Sequence, residues 1–271
     1  VPPLIYPKPY KTMKRFFQLL AWIGLGYLGS SFGCSSSAEF SGRVDSSTGT
    51  GGSMARFTVM GNNLYVVDQT SLRTFDISEP STPRPTTAVR VGMGIETIFP
   101  FRNHLFIGSN AAMFIYNLDD PNEPRQLSML PHATGQGCDP VVAQGNYAYV
   151  TLRASTQSCG GRVTTENVMF VIDIRDFRRP QTMRTYSMTG PYGVGVRGPA
   201  LFLCEGASGL RVFDATDPVN LVQKSFLTNV KSFDVIPLPA SVLVVGEDGL
   251  YQFDYQDLAN LKQLSKIPVA Q

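Results

Sequence analysis

Charge is scarce in this chain of 271 residues: Asp, Glu, Lys and Arg together make up 16% of it, and histidine occurs twice. Neither His104 nor His132 has a Cys or Glu beside it at metal-ligand spacing, and HExxH, CxxC, G-x-S-x-G and Walker-type loops are all missing. These gaps give no expectation of a catalytic residue, a bound metal or a cofactor. The only tryptophan, Trp22, lies near the start, which leaves the remainder without an indole platform for stacking sugars. A basic surface is lacking too. Four of the 23 Lys and Arg (Lys8, Lys11, Lys14 and Arg15) precede residue 34 and no Asp or Glu does, so the rest carries a formal charge of −2. A nearly neutral body offers no electrostatic reason to bind nucleic acid. With 43% apolar residues, disorder is excluded as well.

No apolar run is long enough to span a bilayer comfortably. Phe16–Leu28, interrupted by Gln18, would reach about 20 Å as a helix, against about 30 Å of hydrocarbon. Lys14-Arg15 before it and small residues after it give the layout of a secretory signal peptide over residues 13–33, with a retained anchor as the weaker alternative. Residues 1–12 are Pro-rich and contain no Met, and are expected to be an upstream extension of the reading frame. Cys34, after Gly33, resembles the lipid-modified cysteine of bacterial lipoproteins, although Phe32 and Ser31 depart from the usual residues there. The resemblance implies a lipid anchor at Cys34, hence an exported protein held at a membrane, periplasmic or at the cell surface; simple cleavage near this point is the alternative. The Ser-, Gly- and Thr-rich residues 34–52 suit a flexible tether.

What the chain has in abundance is repetition. Leu72–Asp76 (LRTFD), Met113–Asn117 (MFIYN), Met169–Asp173 (MFVID), Leu210–Asp214 (LRVFD) and Leu250–Asp254 (LYQFD) recur at steps of 41, 56, 41 and 40 residues. One period of about 41 therefore holds, with a single insertion near residues 153–167, and a period of this length marks a repeat architecture. A second short apolar run precedes each copy, such as Leu64–Val67 and Val242–Val245, and two further extended segments complete each unit. Four strands per period is the pattern of a β-propeller blade, so residues 53–269 predict an all-β propeller of five four-stranded blades. Val242-Leu243-Val244-Val245 is apolar on both faces, as expected where blades stack on one another.

The five L-x-x-[FYI]-[DN] strings, together with Gly51–Phe57, Cys138–Arg153, Gly190–Val196 and Glu205–Pro218, resemble the LVIVD-repeat family of bacterial secreted and lipid-anchored proteins. Asn117 in place of Asp departs from its pattern, as do Ala215 and Tyr255 after the repeat Asp. The resemblance implies a propeller at the cell envelope and brings no established reaction.

Asp76, Asn117, Asp173, Asp214 and Asp254 end the repeat strands and are followed by turn sequences, so their expected role is to fix turns. Calcium binding at Asp214–Asp217 is the alternative, and its ligand spacing is poor. Cys138 and Cys159 flank the connections that the blade pattern sends to one face, and an exported protein would permit a disulfide between them. Such a bridge would contribute about 3 kcal/mol, and two reduced thiols are the other reading. Cys204 ends an apolar strand as a packed thiol. The same face is expected to carry Glu96, Asp139, Arg153, Asn167, Glu205, Glu247 and Asp248 around a central mouth. Together these features lead to a binding or scaffold module for a protein or a glycan; a propeller hydrolase or lyase with paired carboxylates and a purely structural envelope component are the rival readings.

Overall fold

The computed structural model describes residues 52–132, 140–154 and 166–269. Of the two units into which the chain divides, residues 1–43 and 44–271, the described residues all belong to the second. Cys34, Cys138, Asp139 and Cys159 lie outside them, and so do the expectations of a lipid anchor and a disulfide.

Five four-stranded antiparallel sheets follow one another along the chain. Blade 1 comprises β1 (Phe57–Met60), β2 (Asn63–Val67), β3 (Ser71–Asp76) and β4 (Arg84–Arg90), and blade 2 comprises β5 (Ile95–Phe101), β6 (His104–Ser109), β7 (Ala112–Asn117) and β8 (Arg125–Pro131). Blade 3 holds β9 (Val141–Gln144), β10 (Tyr147–Leu152), β11 (Val168–Asp173) and β12 (Gln181–Ser187). Blade 4 holds β13 (Val194–Arg197), β14 (Ala200–Cys204), β15 (Leu210–Asp214) and β16 (Val222–Leu227), and blade 5 holds β17 (Ser232–Pro237), β18 (Val242–Gly246), β19 (Gly249–Asp254) and β20 (Lys262–Pro268). The architecture is the five-bladed β-propeller that the repeat predicts. Every blade carries a register shift between its third and fourth strands, within the repeat string and just before its terminal Asp or Asn. A bulge at a fixed place adds local twist, which a blade needs as it fans out from the axis.

The repeat residues act at the turn after the third strand. Asp76, Asp173, Asp214 and Asp254 each accept a hydrogen bond from the backbone N–H two residues on, at 2.8–2.9 Å. Asn117 instead donates to Asp119 through Nδ2. A second Asp three residues later does the same in blades 2 to 5, where Asp120, Asp176, Asp217 and Asp257 cap Asn122, Arg178, Val219 and Ala259. The stiffened loop then offers a carbonyl to the preceding blade. Tyr65 donates to Pro121 O, Ser128 to Phe177 O, Tyr186 to Val219 O and Ser225 to Leu258 O, all at 2.6–2.8 Å, so one hydroxyl bolts each successive pair of blades.

Between those bolts lies the apolar packing. Four buried clusters fill the interfaces of blades 1 and 2, 2 and 3, 3 and 4, and 4 and 5. Consequently β6, β10, β11 and β14 are buried on both faces. Among the described residues no such cluster joins blade 5 to blade 1, and β2 and β19 alternate between buried and half-buried positions. The run Val242–Val245 shows the consequence: Val242 and Val244 are fully buried, whereas Val245 is 42% exposed. Its second apolar face is half bare because blade 5 has a packed neighbour on one side.

A strap ahead of β1 ties the ends together. Ser53 is buried; its Oγ donates to Asp234 Oδ1 of β17 (3.4 Å) and accepts the Val194 N–H of β13 (2.8 Å), while Ala55 O accepts the Ile98 N–H of β5. Glycine is required at this crossing, since a Cβ on Gly193 would stand 2.5 Å from Asp234 Oδ1 and one on Gly52 would run into the same carboxylate. Burial raises the pKa of Asp234, against the backbone N–H groups of Val235, Ser53 and Met54 and the Ser53 hydroxyl, which lower it. A carboxyl raised in the folded state contributes stability that is full below its unfolded value and lost as pH rises through the folded one. Urea unfolding of wild type and Asp234→Asn near pH 4 and at pH 7 should therefore show wild type gaining on the variant at the lower pH.

Candidate functional site

The connections from the second to the third strand, and from each blade to the next, emerge on the face opposite the Asp turns. A cavity of about 560 Å³ opens there against blades 1 to 4. Its floor includes the buried Ile95 and Pro140, its charged lining is Arg56, Glu96 and Arg153, and Tyr192 forms one wall. Met54 and Met93 stand at its rim, 42% and 73% exposed.

The Arg153 Cζ sits over the Tyr192 ring, 3.7 Å from its centroid, a cation–π contact at stacking distance. Tyr192 is itself fixed. Its N–H donates to Cys204 O, its carbonyl accepts from Thr151 Oγ1, and its ring meets Phe233 edge-on at 5.3 Å. Across the cavity Arg56 is steadied by a 3.0 Å hydrogen bond from Nη2 to Ile95 O.

The described residues expected around the mouth do not all reach the cavity. Glu96 and Arg153 line the cavity. Asn167 supports its wall, accepting from Ala154 N through Oδ1 and donating to Thr189 O through Nδ2. Glu247 pairs with Lys231, and Asp248 binds Lys266 and the Tyr251 hydroxyl; these two lie on blade 5, away from the cavity lining.

Glu205 departs most from the expectation of a solvated loop tip. Its side chain is fully enclosed; Oε2 accepts the N–H groups of Thr189 and Gly190, and Oε1 holds Arg211 Nε at 2.6 Å. Arg211 in turn reaches Gln223 and Thr189 and packs over Phe226. This cluster pins the segment that leads into Tyr192, so Glu205 shapes the mouth from beneath. The spacing Glu205…Arg211 across a Gly-rich turn was readable as a cross-turn ion pair. Arg56 and Tyr192, by contrast, had only their place in Gly51–Phe57 and Gly190–Val196 to mark them.

His104 is half-buried against Phe177, 4.1 Å between centroids, and desolvation lowers its pKa. Cys204 is a buried free thiol whose pKa is pushed up by desolvation. Among the described residues no three His, Cys, Asp or Glu side chains gather where they could hold a metal ion.

The family model for the LVIVD repeat matches residues 51–89, which take in the strap and blade 1 up to Val89. No curated protein matches the sequence. Several solved structures share the fold. The periplasmic gluconolactonase PpgL of Pseudomonas aeruginosa is 16% identical with a TM-score of 0.60, over 77% of this chain and 68% of that one. A functionally unknown protein from Desulfotomaculum acetoxidans is 13% identical with a TM-score of 0.58, over 77% and 67%. BamB from Moraxella catarrhalis is 8% identical with a TM-score of 0.53, over 72% of this chain and 54% of that one. At these identities the likeness is one of fold.

Removing the Glu205 carboxylate leaves Arg211 Nε and the N–H groups of Thr189 and Gly190 without their acceptor. Glu205→Ala should lower the unfolding free energy by about 3 kcal/mol, measured by urea titration, whereas Glu247→Ala at an exposed pair should change it by less than about 1 kcal/mol.

Proposed function

We propose that this LVIVD-repeat propeller is an exported binding module, anchored by lipid on Cys34 and taking a protein or glycan ligand at the blade-top mouth. The observation that carries the reading is the cavity itself. It is roomy, partly apolar and walled by side chains whose positions are fixed from behind, which is what a recognition site needs. Of the acids expected on this face, Glu96 lines the cavity and Glu205 is enclosed. PpgL is named as a periplasmic gluconolactonase, so the fold itself is open to catalytic propellers, and the binding reading rests on the lining of the mouth.

Recovery of bound material from the native envelope tests the reading. The full chain, cross-linked in place and purified from the membrane fraction, should retain a specific protein or glycan. Thr70→Trp, which crowds the cavity from an exposed position, should lose it while remaining in the membrane, and Cys34→Ser should move to the soluble fraction. Identical recoveries with wild type and Thr70→Trp would contradict binding at the mouth, and wild type in the soluble fraction would contradict the anchor.

A further inference from the structure

We infer that the mouth recognises the carboxylate of an acidic sugar. The inference rests on the reading of the mouth as a binding site and adds the class of ligand. Arg56 and Arg153 face a cavity whose described lining holds one acid. Arg153 has no ion pair among the described residues, and its N–H groups donate to none of them; the contact that holds it is the Tyr192 ring. A guanidinium stacked in this way is held in position while its donor edge remains available, and that edge matches the two oxygens of a carboxylate. The hydrogen bond from Arg56 to Ile95 O occupies one of its five donors and steadies the rest.

The remaining lining fits a sugar. Gln69 and Thr70 place neutral hydrogen-bonding groups at the exposed edge for hydroxyls, and Met54, Met93 and Ile95 provide apolar surface for C–H faces. An arginine fork also accepts phosphate oxygens, so the choice of a carboxylate is what the comparison of charged and reduced oligomer below puts to the test. A peptide bound by strand addition would need a free sheet edge, whereas the cavity lies among the inner strands and their connections.

The test is calorimetric titration of the full detergent-solubilised protein with three probes: oligogalacturonate, the same oligomer after its carboxyl groups are reduced to primary alcohols, and a tripeptide with a free C-terminal carboxylate. Oligogalacturonate should bind at least tenfold more tightly than the reduced oligomer, a difference of about 1.4 kcal/mol. Arg153→Gln should abolish that preference with only a small drop in the thermal midpoint from the lost Tyr192 contact, and Arg153→Lys, which keeps the charge and loses the fork, should restore only part of it. Equal binding of the two oligomers would overturn carboxylate recognition and leave a glycan-binding mouth. Preference for the tripeptide would overturn the sugar class. Binding of none of the three would overturn the inference, and recovery of a ligand from the envelope would then judge the broader reading separately.

Discussion

Everything in this propeller depends on sheets that are apolar on both faces and can be satisfied only by neighbouring sheets. A strand such as Leu201–Cys204, with every residue at or below 1% exposure, has no face for water and no independent existence outside a stack. Burial of its large side chains contributes about 1.5–3 kcal/mol each, and none of that is realised by a single blade. The Asp turns and inter-blade hydroxyls are small beside this term. They set the spacing at which the apolar faces meet, because each stiffened loop presents a carbonyl to the blade before it.

The same constraint explains the terminal blades and the strap. Phe57 is 62% exposed on blade 1, Ile267 is 64% exposed on blade 5, and both belong to faces without a packed neighbour among the described residues. Polar contacts take the place of apolar packing there. Gly52–Met54 reach Asp234 on blade 5 and Val194 on blade 4, so the segment that leads into blade 1 is held by the far end of the blade series. The mouth inherits its rigidity from this arrangement, since Met54 and Arg56 extend from the strap into the cavity lining while Tyr192 sits on the interior blade that receives it.

Much of this was written in the sequence, because a fold built by repetition states its rule five times. The strings ending in Asp or Asn located every third strand, and their period gave the blade number. Packing partners were less legible. Val242–Val245 reads like any interior strand, and nothing in its residues says that blade 5 has one packed side. Individual site residues were the hardest to place. Arg153 and Glu96 were found because loop tips of one face converge, but Glu205 shares that location and is turned inward by Arg211 and two backbone N–H groups. Asp234 escaped notice because its partner in the strap, Ser53, is 181 residues away in the chain, a separation that no local pattern encodes.

The central claim is that stability resides in four apolar interfaces between successive blades, with the ends joined by the polar strap. Native-state hydrogen exchange on the full chain measures it directly. The account predicts the slowest exchange in β6, β10, β11 and β14, with faster exchange in β2 and β19, where one face is half bare. Equally strong protection in β2 and β19 would contradict it, because it would mean that the outer faces of blades 1 and 5 are covered.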